Sequence, residues 1–215
     1  MNGIHDMGGM HGFGPVDPNY ETGFEHDWQK RVYGINSLSL MQRAYNIDKT
    51  RFYMENHTPL VYLGMGYWER WLGMIEKLYA EAGVVEGAGD VRIEGGRRIP
   101  AEVLWEGFKK LTPPEPPALP APLYAAGDTI VTNRNAPAKH TRLPRYARGS
   151  KGVIERYMGI FRFADAYADD RIEHQHVYSV RFDGHELWGD DCEENTCVRL
   201  EIYESYIEER IDAGS

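Results

Sequence analysis

The chain has little cysteine, and the cysteine present does not form a metal-binding pattern. Cys192 and Cys197 are the only two in 215 residues, and no second pair of Cys or His ligands follows them, as a zinc site would need. The eight histidines are scattered. The sequence therefore predicts no metal site in this chain and incidental cysteines in a reducing compartment.

Long apolar runs and basic character are also missing. No stretch of about 18 apolar residues could form a transmembrane helix. Residues 1–6 lack a basic segment and an apolar run, so no signal peptide is expected. A net charge of −9 and a pI of about 5.4 argue against nucleic acid as a partner. These features favour a soluble cytoplasmic protein with no nucleic-acid or membrane partner.

Motifs for nucleotide binding and for an activated serine are absent. The segment Gly12-Phe13-Gly14 follows no predicted strand and opens no predicted helix, so it is not read as a nucleotide loop. Aromatic residues, in contrast, are plentiful: they make up 12% of the chain, with 5 Trp and 14 Tyr. Because such residues are enriched in interfaces, their number modestly favours an obligate partner over a purely internal role.

The chain divides by composition into four parts of an α+β protein. Glycine and proline in residues 1–24 predict an extended arm, either disordered or laid over a partner. Residues 25–112 are predicted to form a helical domain. Six prolines in residues 111–123 predict a semi-rigid linker, placed at 113–122. Short alternating segments in residues 123–215 predict a small β-barrel.

Local patterns place the individual elements. Asp48 is the predicted N-cap of a short helix ending at Glu55, and one further helix is predicted from near Pro59 to Ala82, ended by Gly83. The predicted core stripe of that second helix is Tyr67, Trp71, Met74, Ile75 and Leu78. The other predicted elements are a helix at 101–110 and strands at 128–133, 151–157, 177–182 and 197–203. His174 and His176 are predicted to lie on a solvated strand face.

Arg51 and Arg142 lie on either side of the proline-rich break. A guanidinium is always charged and presents five donors in a rigid fork, so two of them could clamp an oxyanion-rich centre. Arg51 could instead form a surface ion pair with Glu55, worth well under ~1 kcal/mol. Arg142 could simply solvate a loop. With no metal cluster in the chain, the pair suggests half of an active site completed by another protein.

Six groups of motifs, in this order, resemble the β subunit of nitrile hydratase over nearly the whole chain. They are Met1-Asn2-Gly3-Ile4-His5-Asp6-Met7-Gly8-Gly9 with Gly12-Phe13-Gly14-Pro15, Phe24-Glu25-His26-Asp27-Trp28, His140-Thr141-Arg142 with Pro144-Arg145-Tyr146 and Arg148-Gly149, Val177-Tyr178-Ser179-Val180-Arg181-Phe182, Glu186-Leu187-Trp188-Gly189, and Tyr203-Glu204-Ser205-Tyr206. Each match is weak alone, and their order gives the resemblance its weight.

The resemblance implies a fold, an assembly and a reaction. It implies a helical N-terminal domain with an SH3-like C-terminal barrel, in an αβ heterodimer that pairs into an α2β2 heterotetramer. The reaction implied is addition of water to a nitrile, giving an amide. The metal, Co(III) or Fe(III), would be held by the α subunit's cysteine cluster, two of whose sulfurs are oxidised. Thr141 and Arg145 favour the cobalt type.

The resemblance also implies roles for residues. Arg51 and Arg142 would hydrogen-bond the oxidised sulfur oxygens, as charge-assisted donors that hold the metal ligands in place. Glu55 and His140 match residues of a hydrogen-bond network near the site. The metal itself would have no ligand from this chain.

A substrate pocket is implied by further positions. The hydroxyl of Tyr67 would point toward the reacting water or the substrate, and Trp71 and Ile47 would line the pocket. Two positions depart from the family pattern: Trp68 replaces a tyrosine, and Thr50 stands where a phenylalanine is common. These departures leave the preferred nitrile open.

Two other interpretations remain. The chain could be a subunit of thiocyanate hydrolase, in which the two halves are separate chains, or a non-catalytic activator or adaptor of the α subunit. The presence of both halves and of Arg142 in one chain favours nitrile hydratase.

Overall fold

The computed structural model describes residues 3–15, 18, 23–84, 100–109 and 115–211. The described residues form two compact units, one built from 3–5 and the span 13–115, the other from 6–12 and the residues from 116 onward. Helices make up the first unit and an antiparallel sheet dominates the second. Parts of the predicted arm and linker lie outside the described residues, and the four predicted segment boundaries stay predictions.

Among the described residues the helical unit has five helices. They are α1 (Asp27–Met41), α2 (Ile47–Glu55), α3 (Pro59–Gly64), α4 (Tyr67–Glu81) and α5 (Ala101–Lys109). The prediction differs at the start of α2 and at the division between α3 and α4. The predicted cap of α2 was wrong: Asn46, not Asp48, precedes the helix, and its side chain accepts hydrogen bonds from the N–H groups of Asp48 and Lys49 at 3.0 and 2.9 Å. Asp48 lies inside the first turn.

The single helix predicted from Pro59 to Ala82 is in fact two helices. Gly66 interrupts it with an extended backbone (ψ 165°) and becomes the N-cap of α4. Its N–H group donates to the Glu69 carboxylate at 2.7 Å, which satisfies a backbone donor that the start of a helix leaves open. Gly83 follows α4 with φ of 66°, as predicted for a residue that ends a helix.

The core of the helical unit confirms the inner part of the predicted stripe. Met74, Ile75 and Leu78 of α4 are buried and pack with Val32 and Tyr45. The other two members of the stripe, at the start of α4, remain more exposed. The stripe is therefore exposed at the start of α4 and buried in the core toward its end.

Five strands form the sheet, in the order β4-β3-β2-β1-β5. They are β1 (Thr129–Thr132), β2 (Lys151–Arg162), β3 (His174–Asp183), β4 (Cys197–Tyr203) and β5 (Ile207–Ile211). The connections contain α6 (Ala164–Tyr167), α7 (Gly184–Trp188) and 3-10 turns at Arg145–Ala147 and Glu204–Tyr206. All neighbouring strands are antiparallel, and the register of β2 against β3 shifts twice.

The sheet confirms the mixed helix-plus-sheet class and most of the strand predictions. Tyr178, Val180 and Phe182 are buried on one face of β3, as the alternation predicted. In the paired strands of the described residues the sheet is not closed, since β4 and β5 are its edges. The SH3-like barrel stays a prediction.

The prediction for His176 was wrong. Only 5% of this residue is exposed. Its burial is tolerated because both ring nitrogens have partners from distant parts of the unit. Nδ1 lies 2.8 Å from the Tyr157 hydroxyl, and Nε2 lies 2.8 Å from the Pro120 carbonyl oxygen. Among the described residues, no helix is long and apolar enough to cross a membrane.

Met74→Ala should destabilise the helical unit far more than Leu72→Ala. Met74 is fully buried, whereas Leu72 on the same helix is 39% exposed. Deleting the buried side chain should cost about 2–5 kcal/mol of unfolding free energy. Urea unfolding followed by circular dichroism tests this, and equal losses in the two variants would show that α4 does not carry the core.

Candidate functional site

Helix α2 carries four of the predicted site residues, Ile47, Thr50, Arg51 and Glu55. The guanidinium of Arg51 donates from Nη1 to the buried Asp48 carboxylate, one turn earlier, at 2.8 Å. Its side chain is 44% exposed, against 8% for Asp48. The ion pair therefore fixes one edge of the fork and leaves the rest of it accessible.

The other α2 residues have different surroundings. Ile47 is 44% exposed, whereas Thr50 is buried and its hydroxyl donates to the Ile47 carbonyl at 2.6 Å. Glu55 is largely buried, with its Oε2 3.7 Å from Nε2 of His5. His5 also lies edge-on to Tyr62. The pocket role of Thr50 stays a prediction.

An aromatic groove lies where α1 faces the start of α4. It encloses about 930 Å³, and its lining includes Trp28, Tyr33, Tyr67, Trp68 and Trp71. The three predicted residues of α4 are brought together here. The ring centroids of Tyr67 and Trp68 are 5.1 Å apart, and those of Trp68 and Trp71 are 5.3 Å apart. Tyr67 lines the groove and is 58% exposed.

Sequence reasoning missed the α1 side of the groove. Tyr33 lies 6.3 Å from Trp68 and 6.4 Å from Trp71, measured between ring centroids. Phe24 stacks on Trp68 at 4.8 Å, and the Trp68 indole donates to the Gly23 carbonyl at 2.7 Å. The aromatic residues at positions 28 and 33 were the available signal in the sequence.

In the sheet unit, Arg142 is exposed, but its backbone is held by a residue of the buried interior. Its N–H group donates to the Tyr206 hydroxyl at 2.9 Å. The Thr141 hydroxyl donates to the same oxygen at 3.1 Å, and the Tyr206 hydroxyl donates in turn to Asp165 through a short bond. This chain of hydrogen bonds anchors the loop at Arg142.

The anchor is electrostatically unusual. Burial raises the pKa of Asp165, an effect opposed by hydrogen bonds from Tyr206 and Thr141 and by nearby His140. Burial, and then the Asp165 carboxylate, raise the pKa of Tyr206. His140 is only 1% exposed, so it is a part of this interior. The sequence had predicted no role for Asp165 or for the hydroxyl of Tyr206.

The described residues contain no group of three or more His, Cys, Asp and Glu side chains that could hold a metal ion. The predicted site residues Arg51, Arg142 and Tyr67 are exposed and carry hydrogen-bond donors. Such groups can bind oxyanions or orient a polar ligand.

Comparison with known proteins identifies the family. Residues 1–94 match the family model "Nitrile hydratase beta subunit, N-terminal", and residues 113–209 match "Nitrile hydratase beta subunit, C-terminal". A nitrile hydratase subunit beta from Pseudomonas putida is 35% identical, over 97% of this chain and 99% of its own length. The chain belongs to the nitrile hydratase β-subunit family.

Two further members of the nitrile hydratase family carry cobalt in their names. The low-molecular weight cobalt-containing subunit beta from Rhodococcus rhodochrous is 30% identical over 96% of this chain and 99% of its own length. The cobalt-containing subunit beta from Pseudonocardia thermophila is 29% identical over 97% and 96%. A solved chain of thiocyanate hydrolase from Thiobacillus thioparus, 27% identical, matches 41% of this chain and 76% of its own, with a TM-score of 0.39.

Asp165→Asn should change how stability depends on pH. Because the folded pKa is raised above 3.8, the folded chain binds this proton more tightly than the unfolded chain. The resulting stabilisation is present below that value and is lost as the pH rises through the raised pKa. Relative to wild type, Asp165→Asn should therefore gain stability as the pH rises.

Urea unfolding of both proteins between about pH 4 and 7 measures this difference. Asp191→Asn, at an exposed position, controls for the loss of one acidic side chain. A variant whose stability relative to wild type falls as the pH rises would contradict the raised pKa.

Proposed function

We propose that this chain is the β subunit of an enzyme that adds water to a nitrile to give an amide, active together with an α subunit. The observation that carries the proposal is similarity to nitrile hydratase β subunits over almost the full length of both chains. Matches in both halves favour this function over an activator made of one half, and over a subunit of thiocyanate hydrolase.

The metal is proposed to be cobalt, as Co(III), with Fe(III) as the alternative, bound by cysteines of the α subunit. Two relatives named as cobalt-containing support this choice. When bound, such an ion supplies Lewis-acid activation of water or of the nitrile. The accessible donors of this chain fit a place beside that centre, since guanidinium groups match the geometry of oxygen pairs.

Arg51 and Arg142 are proposed to donate hydrogen bonds to the oxidised sulfur oxygens of the metal's cysteine ligands. A different contact holds each arginine in place. Asp48 holds one edge of the Arg51 fork, while the Tyr206 hydroxyl holds the Arg142 backbone. Charge-assisted bonds of this kind gain strength when a partner covers them and removes water.

The aromatic groove is proposed to supply part of the substrate pocket. Tyr67, Trp68 and Trp71 would contact the organic part of the nitrile, and the Tyr67 hydroxyl would orient the nitrile or the reacting water. Ile47 and Thr50 are proposed as further pocket residues. Glu55 and His140, both largely buried, are proposed to support the two arginine-bearing segments from inside their units.

The assembly is proposed to be an αβ heterodimer that pairs into α2β2, in the cytoplasm. Exposed apolar side chains on α3 support burial against another chain, because a monomer seldom leaves so many in one place. They are Leu60 at 87%, Leu63 at 56% and Val61 at 43% exposure. The sheet unit is proposed to be the SH3-like barrel of the family.

Arg51→Lys and Arg142→Lys should each lower turnover of a simple nitrile about ten-fold or more in the assembled enzyme. Lysine keeps the charge but loses the planar fork, so buried oxygen acceptors lose partners at a cost of ~1–3 kcal/mol each. Turnover of acetonitrile is measured with metal content alongside.

The controls are Arg31→Lys and Arg171→Lys, at exposed positions on α1 and on the sheet unit. Both control variants should keep nearly wild-type turnover, because exposed pairs contribute about 0–1 kcal/mol. Near-wild-type turnover with a full metal complement in both site variants would remove the proposed role of the arginines.

Tyr67→Phe should lower turnover more than it lowers stability. The ring would keep its contacts with Trp68 and Trp71, and only the hydroxyl would be lost. Tyr33→Phe is the matched control, since Tyr33 lines the same groove and is similarly exposed. Equal turnover in the two variants would mean that the Tyr67 hydroxyl has no special role.

A further inference from the structure

The loop that carries Arg142 is held by a second segment from the start of the chain. This strap, residues 6–10, belongs to the same compact unit as the sheet. The Asp6 carboxylate accepts a hydrogen bond from the Arg145 N–H group at 2.7 Å, at the first residue of the 3-10 turn. The Arg145 guanidinium also donates, to the Asp6 carbonyl at 3.1 Å. Arg145 thus donates to Asp6 from both its backbone and its side chain.

Two glycines let the strap lie flat on the aromatic side chains beside this loop. A Cβ on Gly8 would stand 2.3 Å from the Tyr146 ring, and one on Gly9 would stand 2.4 Å from the Trp188 indole nitrogen. The rings of Tyr146 and Trp188 are themselves 5.8 Å apart. Because those distances exclude a side chain, the strap is shaped to this surface.

The strap keeps its own shape through a tight turn. The Met10 N–H group donates to the Met7 carbonyl at 3.0 Å, and Gly9, in the third position, has φ of 75°. A positive φ at that position is the geometry of a type II turn and favours glycine. The turn brings Met10 back to the loop, where its sulfur lies 3.9 Å from the Arg145 guanidinium.

Charge reinforces the contact. Burial lowers the pKa of Arg148, and the nearby Asp6 carboxylate opposes that shift. Burial, followed by the same carboxylate, raises the pKa of Tyr146. Asp6 therefore lies among Arg145, Arg148 and Tyr146, and its negative charge offsets the repulsion between the two neighbouring guanidinium groups.

The loop is consequently fixed at three successive points. Tyr206 holds the N–H group of Arg142, the Arg148 guanidinium donates to the Leu143 carbonyl at 3.1 and 3.3 Å, and Asp6 holds the N–H group of Arg145. The first contact comes from the 3-10 turn before β5 and the second from within the loop, whereas the third comes from a segment 139 residues away. Removing Asp6 would free the middle of the loop.

We propose that Asp6 is a positioning residue for Arg142: through the strap it fixes the loop so that the Arg142 guanidinium is held at the reactive centre. This inference rests on the proposed role of Arg142. Asp6 itself contacts neither substrate nor metal ligands. Its effect should therefore appear in turnover and in the mobility of the loop, and much less in substrate affinity.

The test uses the complex with the α subunit and acetonitrile as substrate. Asp6→Ala should lower kcat about ten-fold with KM within about two-fold, at unchanged metal content. Amide hydrogen exchange in residues 143–147 should accelerate about five-fold, as expected for loss of a capping side chain. Asp6→Asn should restore much of both, because its amide oxygen can still accept the Arg145 N–H bond.

Gly9→Ala and Gly12→Ala form a matched pair. Both glycines have positive φ, but a Cβ at Gly12 meets nothing within 4 Å, whereas one at Gly9 meets Trp188. Gly9→Ala should reproduce the loss of kcat and the faster exchange, and Gly12→Ala should show neither. Gly9→Ala also provides the test if Asp6→Ala does not assemble.

Several outcomes would overturn the inference. These are wild-type kcat in metal-complete Asp6→Ala, lost kcat without faster exchange in the loop, and equal effects of the two glycine substitutions. If Arg142→Lys is inactive while Asp6→Ala is fully active, this inference alone fails. If Arg142→Lys is fully active, the proposed role of Arg142 fails first. In an Arg142→Lys background, Asp6→Ala should lower kcat no further.

Discussion

The Tyr206 hydroxyl is the interaction on which the geometry of the sheet unit's exposed loop depends. It accepts from the Arg142 N–H group and from Thr141, and it donates to Asp165. All three bonds lie in an interior where burial raises the pKa of both Asp165 and Tyr206. Because each of these polar groups has hydrogen-bond partners, the anchor can stay buried without the large cost of an unpaired polar group.

A buried support for an exposed arginine is also found in the helical unit. There Asp48 is buried and Arg51 is exposed, so a buried acid holds one edge of an exposed guanidinium. In both units the guanidinium reaches the surface and its support stays inside. The chain thus holds the Arg51 fork at one edge and the Arg142 loop by its backbone before any partner binds, which reduces the entropy lost on binding.

Much of the fold could be predicted from the sequence, because α4 and β3 each bury one face. The alternation of β3 and the stripe of Met74, Ile75 and Leu78 follow from that rule. The break at Gly66 was missed, although the glycines at positions 64 and 66 were a signal for it. The burial of His176 was missed because its partners are brought near only by the folded chain.

The candidate site was harder to predict from the sequence than the fold. Motif resemblance pointed to Arg51 and Arg142, but the groups that orient them are recognisable only in three dimensions. Asp48 had been assigned to a helix cap, and Asp165 lies 41 residues from the Tyr206 hydroxyl that it accepts from. The spacing of Asp48 and Arg51 is that of an ordinary helix pair and singles out no site, and the pair of Asp165 and Tyr206 leaves no periodic signal at all.

The tryptophans of the aromatic groove provide an intrinsic fluorescence signal for binding at that surface. Three of its 5 tryptophans, Trp28, Trp68 and Trp71, line that one surface. Indole emission shifts to shorter wavelengths when water is excluded, so any chain or ligand that covers the groove should change the intrinsic fluorescence of the whole subunit. Assembly could be followed in real time without a label, and the signal would come from the surface that carries Tyr67.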